Sequence, residues 1–272
     1  MKQIKIAFVG ALLSCFISQA YAGLLINPKR IVLEDRERAA SLDLLNESDG
    51  TIRYQIFFEQ KTISKEGKIV DVEDPDKGGP YAKDMIRYSP RRVDIEAGGK
   101  QTIRLAVRRP KDLANGEYIS HLVFKEIPSK APKSEVGEDI PDNVLKLTLK
   151  PTLRIAIPVI VRKGELSATA DISSAILNIE DGTFGAVSFQ LHRSGSASLY
   201  GAVEVYEQFG ATQGGRVGFG KGVAVYTSLN ERAVRLRLGQ AINPEASSLL
   251  LRFDEAGKYG GNNLVEKIIK LK

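Results

Sequence analysis

His121 and His192 are the only histidines in the 272 residues, and Cys15 is the only cysteine. Both histidines fall in strand-like patterns without a partner at ligand spacing, so both read as ordinary strand residues rather than metal ligands. Cys15 lies within an apolar leader, which leaves the rest of the chain without a thiol nucleophile or thiolate ligand. Residues 214–222 (GGRVGFGKG) have the glycine content of a phosphate loop. They lack the closing Lys-Ser/Thr and a following helix, so a flexible hairpin connection is expected. The acidic residues in 129–142 (SKAPKSEVGEDIPD) lack the ordered spacing of a calcium loop and read as a solvated loop. No Gly-x-Ser-x-Gly elbow or Ser/His/Asp arrangement is visible. The expectation is a non-enzymatic protein with no cofactor and no metal.

Binding chemistry is easier to locate. Residues 143–164 read NVLKLTLKPTLRIAIPVIVRKG. Leu145, Leu147 and Leu149 share one face of a strand, and Lys146, Thr148 and Lys150 share the other. Arg154 follows five residues after the last leucine, and an apolar run then ends at Val161. The leucine row fits two roles: lining this domain's own core, or filling a groove on another chain. Taken by themselves, Arg30 (in Lys29-Arg30-Ile31-Val32) and Arg154 read as strand arginines on solvated faces.

The elements that carry these residues repeat with a period of two. Strands are expected at 31–33, 39–45, 54–59, 86–89, 92–95, 101–107, 118–126 and 145–161, bounded by turn signals such as Ala97-Gly98-Gly99 and Ala114-Asn115-Gly116. That spacing suits an immunoglobulin-like β-sandwich. Residues 61–83 and 129–142 read as long loops. After a break at Arg162-Lys163-Gly164-Glu165, strand signals return at 175–179, 186–192, 202–206, 222–226, 233–238, 248–253 and 265–271. The fold class expected is all-β: two immunoglobulin-like sandwiches with a cleft between them, one over 23–162 and one over 163–272.

Residues 1–22 have Lys2 and Lys5, then an apolar run over 6–17, then Ala20-Tyr21-Ala22. This is the layout of a secretory signal peptide cleaved after Ala22, and the run is too short to span a bilayer. Leu12-Leu13-Ser14-Cys15 loosely resembles a lipoprotein box, a competing reading of the same leader. Export without membrane insertion is expected. Loss of Lys2 and Lys5 would reduce the formal charge from +6 to +4, too small an excess to imply nucleic acid.

Four segments in order carry a resemblance: residues 25–46 (LINPKRIVLEDRERAASLDLLN), 88–107 (YSPRRVDIEAGGKQTIRLAV), 116–128 (GEYISHLVFKEIP) and 143–149 (NVLKLTL). The chain resembles the N-terminal domain of the periplasmic chaperones of chaperone–usher pilus assembly, the PapD-like family, over nearly all of residues 24–162. The resemblance implies a periplasmic chaperone that lends its seventh strand to pilin-like fimbrial subunits lacking one of their own, and passes them to an outer-membrane usher. It also implies that Arg30 and Arg154 hold the subunit's C-terminal carboxylate, and that Leu145, Leu147 and Leu149 are the donor residues. Self-association is a further possibility for a client-free donor edge. Pro158 stands where the family places an arginine of an interdomain ion-pair network. The second domain lacks the family's Asn-Pro-x-Pro-Tyr strand, and 129–142 is longer than in the short-loop members. The alternative reading is a two-sandwich surface or adhesin subunit that receives strands instead of giving them.

Overall fold

The computed structural model describes residues 23–74, 79–128, 152–179, 184–255 and 263–271. Alternating apolar residues build its first part from β1 (Leu24–Asn27), β2 (Ile31–Leu33), β3 (Ala39–Asn46) and β4 (Ile52–Glu59), then a hairpin of β5 (Lys61–Ile63) and β6 (Ile69–Asp71). A single 3-10 turn (Lys83–Met85) leads into β7 (Ile86–Ser89), β8 (Arg92–Ile95), β9 (Lys100–Val107), β10 (Gly116–Glu126) and β11 (Arg154–Lys163). These strands form two sheets, ordered β1-β3-β9-β7 and β2-β11-β10-β4-β8. Leu42 and Leu44 of β3, with Ile103, Leu105 and Val107 of β9, face Tyr54, Ile56, Leu122, Phe124, Ile157, Val159 and Val161 of the other sheet in one core. This is the two-sheet sandwich that the period-two pattern implied. The reversal between β8 and β9 turns on Gly98, whose φ of +68° favours a residue without a Cβ.

From Ala168 onward the chain builds a second sandwich. Its strands are β12 (Ala168–Asn178), β13 (Ala186–Gly195), β14 (Leu199–Phe209), β15 (Thr212–Val225), β16 (Glu231–Arg237), β17 (Ser248–Asp254) and β18 (Leu264–Lys270). They pair as β12-β13-β16 and β15-β14-β17-β18 around a core that includes Ile172, Phe189, Leu191, Val203, Val205, Leu249, Leu251 and Phe253. Gly164 separates the sandwiches at φ +77°, and a Cβ there would lie 2.5 Å from Asn115 Cγ. None of the helices described is long and apolar enough to cross a membrane.

Two local expectations are corrected. Residues 61–83 are not simply a loop, because β5 and β6 pair there and the hairpin reaches the second sandwich. Thr62 Oγ1 lies 3.0 Å from Ser228 Oγ, Lys65 Nζ bonds Glu231 Oε1 at 2.8 Å, and Ala233 N donates to Lys65 O at 2.7 Å. Residues 214–222 are not a hairpin connection either. They lie inside the 14-residue β15, whose reversal from β14 comes earlier, at Gly210. Without side chains to alternate, the glycines gave no period to read.

Candidate partner-binding site

β11 is flanked by β10 along its whole length, Arg154 opposite Lys125 through Lys163 opposite Gly116. On its other side β2 runs parallel only at Val159, Ile160 and Val161. Among the described residues the edge from Arg154 to Pro158 therefore has no strand beside it. A proline is at home on such an edge because it has no N–H to offer a neighbour. Ile157, Val159 and Val161 point into the core, so Arg154, Ala156, Pro158, Ile160 and Arg162 share the outer face. Leu153, just before the strand, is exposed. Leu145, Leu147 and Leu149 lie outside the described residues.

Arg154 projects its guanidinium over the outer face of the sheet. Its Cζ is 6.0 Å from the centre of the Phe57 ring, and its Nη2 pairs with Glu59 of β4. Lys61 Nζ also approaches Glu59, at 3.1 Å, and pairs with Asp71 across the hairpin. Arg30 precedes β2, which the parallel register places beside Pro158. Four residues of strand, about 13 Å, thus separate the backbone position of Arg154 from that of Arg30. The two arginines bond to different groups. Arg30 turns to the second sandwich, where Nη2 reaches Ser198 Oγ at 3.3 Å and the guanidinium lies 4.2 Å over the Tyr200 ring. Its Nε is buried without a partner, and among the described residues no carboxylate comes within ion-pair distance. Burial lowers its pKa, with Glu117 pulling the other way.

Glu117 holds the two sandwiches together. Its side chain is fully buried, and Oε2 accepts from Arg162 Nε at 3.0 Å, from Ser198 Oγ at 3.0 Å and from Ser198 N at 3.2 Å. Arg162 also bonds Glu34 Oε1 at 2.9 Å. Arg193 fixes the loop that presents Ser198 by donating to the carbonyls of Gly195, Ala197 and Leu229. Beside this polar group Ile63, Ala224 and Tyr226 form a small apolar cluster between the sandwiches, with Ile119 and Tyr200 packed on it. His121 of β10 is also fully buried, both ring nitrogens are unpartnered, and its ring lies 6.1 Å from that of Tyr226. Burial first, and the Lys61 charge next, hold its pKa down at about 4. His192 is ordinary by comparison: Nε2 lies 2.6 Å from Ser173 Oγ on the neighbouring strand.

Residues 23–164 match the family model of the pili and flagellar-assembly chaperones, PapD N-terminal domain. The chain belongs to the PapD-like chaperone family. No curated protein matches the chain significantly by sequence. Among solved structures, the chain is similar to the YadV chaperone at 14% identity and a TM-score of 0.46, covering 92% of this chain and 100% of that one. It is similar to the Pseudomonas aeruginosa CupB2 chaperone at 15% identity and a TM-score of 0.43, covering 91% and 100%. For a chain of the CsuC–CsuE chaperone–tip adhesion subunit pre-assembly complex of Acinetobacter baumannii the figures are 16%, 0.43, 92% and 98%. Likenesses this distant carry no functional argument.

In this PapD-like chain position 158 carries no charge, and the polar contact between the sandwiches is built further along the same outer face: Arg162 pairs with Glu117 and Glu34 within the first sandwich, and Glu117 accepts from Ser198 of the second. The sequence held a signal for it: Gly116-Glu117 opens one strand and Arg162-Lys163 closes the next, so antiparallel pairing sets Glu117 directly opposite Arg162. No comparable signal marks Ser198 or Tyr200, which meet Arg30 only through tertiary packing.

Proposed function

We propose that this chain is a non-enzymatic periplasmic chaperone that binds pilin-like subunits by donor-strand complementation and delivers them to an outer-membrane usher. In this reading residues 1–22 direct export, 23–162 form the client-binding domain, and 163–272 form the second domain. A client strand pairs along the open edge of β11 and continues beside residues 143–150, where Leu145, Leu147 and Leu149 fill its groove. Burying each leucine fully is worth about 1.5–3 kcal/mol, and a slip of one residue would turn the whole row outward. Register must therefore be fixed at one end, which is the role assigned to Arg30 and Arg154 as anchors for the client's C-terminal carboxylate.

One observation carries the reading. In a member of this family, the strand edge from Arg154 to Pro158 is open among the described residues, and it ends beside Arg30, a guanidinium without a carboxylate partner. A buried cation in that state is costly unless an anion is supplied to it. With no client bound, the same edge is a template for pairing with a second copy, so weak self-association is expected.

Co-expression with a pilin-type subunit, followed by affinity capture, tests the reading. The wild-type chain should recover the subunit one to one. Arg30→Ala should weaken recovery by about 2–5 kcal/mol, because it leaves a desolvated carboxylate unpaired. Arg154→Ala should cost less, about 1 kcal/mol or under, because that guanidinium is half exposed and screened. Undiminished recovery in both variants rejects the anchoring role.

A further inference from the structure

If Arg154 anchors a client, it is not idle in the client-free chain. Its guanidinium is drawn along the sheet to Glu59, and Glu59 bridges two cations, with Oε1 toward Arg154 and Oε2 3.1 Å from Lys61 Nζ. The Lys61 side chain is 15% exposed and that of Arg154 48%, so the second cation is the better shielded one. Asp71 adds a further carboxylate to Lys61 from across the hairpin. Breaking the Arg154 contact would not leave Glu59 unpartnered, as Lys61 is already within ion-pair distance. Losing a half-exposed pair is cheap, whereas orphaning a shielded carboxylate is not.

A carboxylate arriving at Arg154 competes with the one already there. We propose that Glu59 is a positioning residue that stands in for the client's chain terminus. It holds Arg154 across the sheet in the free chain and passes it to an incoming C-terminal carboxylate, while Lys61 retains Glu59. This rests on the reading of Arg154 as an anchor given above. The hairpin that supplies Lys61 also docks on the second sandwich through Thr62 and Lys65. The fallback cation is therefore held in place by the domain interface.

The test uses the purified full-length chain and two synthetic octapeptides of alternating valine and threonine, one ending in a free carboxylate and its twin in an amide. The wild-type chain is expected to favour the acid. Glu59→Gln should raise affinity for the acid about two- to fivefold, the scale of removing an exposed competing pair, and leave the amide unchanged. Glu59→Asp should lie between Gln and wild type, and Arg154→Ala should cut the preference by up to about fivefold, leaving the part that Arg30 supplies. A wild-type chain that does not bind the acid, or does not prefer it, refutes the anchor reading and this inference with it, and a preference left unchanged by Arg154→Ala refutes the anchoring role of Arg154 and this inference. A preference reduced in Arg154→Ala but unmoved in Glu59→Gln, or a gain shared equally by the amide, refutes the role of Glu59 alone.

Discussion

Replacing Glu117 should separate the two sandwiches more effectively than any other single change at the domain boundary. Its carboxylate is fully buried, takes three hydrogen bonds through one oxygen, and faces the Arg162 guanidinium with Arg30 close by. Truncation to alanine removes the countercharge and leaves Arg162, only 15% exposed, with the outer carboxylate of Glu34 alone. Breaking a buried pair from one side costs about 3–5 kcal/mol, because the cost is set by the stranded charge rather than by the lost contact. For proteins of this size each kcal/mol moves Tm by about 2–4 °C, so Glu117→Ala should lower the transition by about 6–20 °C.

Scanning calorimetry reads this directly, and Glu117→Met/Arg162→Met separates the two possible causes. If a stranded guanidinium is responsible, removing both charges should recover most of the loss, as apolar replacement of buried pairs is often close to neutral. Arg30 limits that recovery, because the double variant takes away the attraction of Glu117, which outweighs the like-charge repulsion of Arg162 removed with it. A shift of less than about 2 °C in the single variant, or a double variant no better than the single, would refute the reasoning.

Three further outcomes follow from single residues. His121, with a folded pKa of about 4 against 6.5 unfolded, leaves the unfolded chain binding the extra proton between those values. Stability should therefore fall as pH drops from about 6.5 to 4, by about 3 kcal/mol from this group, and denaturant titrations of His121→Leu should show that slope removed with no loss at pH 7.5. Ile63→Ala empties a buried position of the cluster between the sandwiches and should cost about 2–5 kcal/mol, with hydrogen exchange rising in the β5–β6 hairpin before the cores. Gly98→Ala meets no atom within 4 Å, so any loss is backbone strain at φ +68°. Chemical denaturation should show about 1 kcal/mol, and less for Gly98→Asn.

The strand pattern could be read from the sequence where one face met a core and the other met water. β3, β8 and β9 alternate visibly, and their positions follow from that period. The β5–β6 hairpin was invisible because its outer residues Ile69 and Val70 are exposed and its inner residue Ile63 packs on the other sandwich, so no local period marks it. β15 was misread because glycine carries no face information. Arg30 could be located but not its surroundings, since Ser198 and Tyr200 are some 170 positions away along the chain. The pairing of Glu117 with Arg162 was readable in principle from the antiparallel register, which sets the two directly opposite.

β10 shows why the domain interface and the candidate anchor cannot be treated as independent sites. An antiparallel strand in a two-layer sandwich should bury alternate residues, yet Ser120 through Phe124 are all buried. The core accounts for Leu122 and Phe124. On the outer face Glu117 bonds Ser198, Ile119 packs on the cluster around Tyr226, and His121 lies by the Tyr226 ring, so the second sandwich covers that end. Beyond them Val123 sits opposite Phe57, over which Arg154 passes on its way to Glu59, itself opposite His121. One outer face thus carries the interdomain carboxylate at one end and Arg154, the proposed anchor, at the other, joined by packed side chains. Substitutions at its two ends should therefore be non-additive, and a double-mutant cycle between Glu117→Gln and Glu59→Gln measures that coupling. An interaction energy beyond about 0.5 kcal/mol supports it, and strict additivity would show that the outer face transmits nothing.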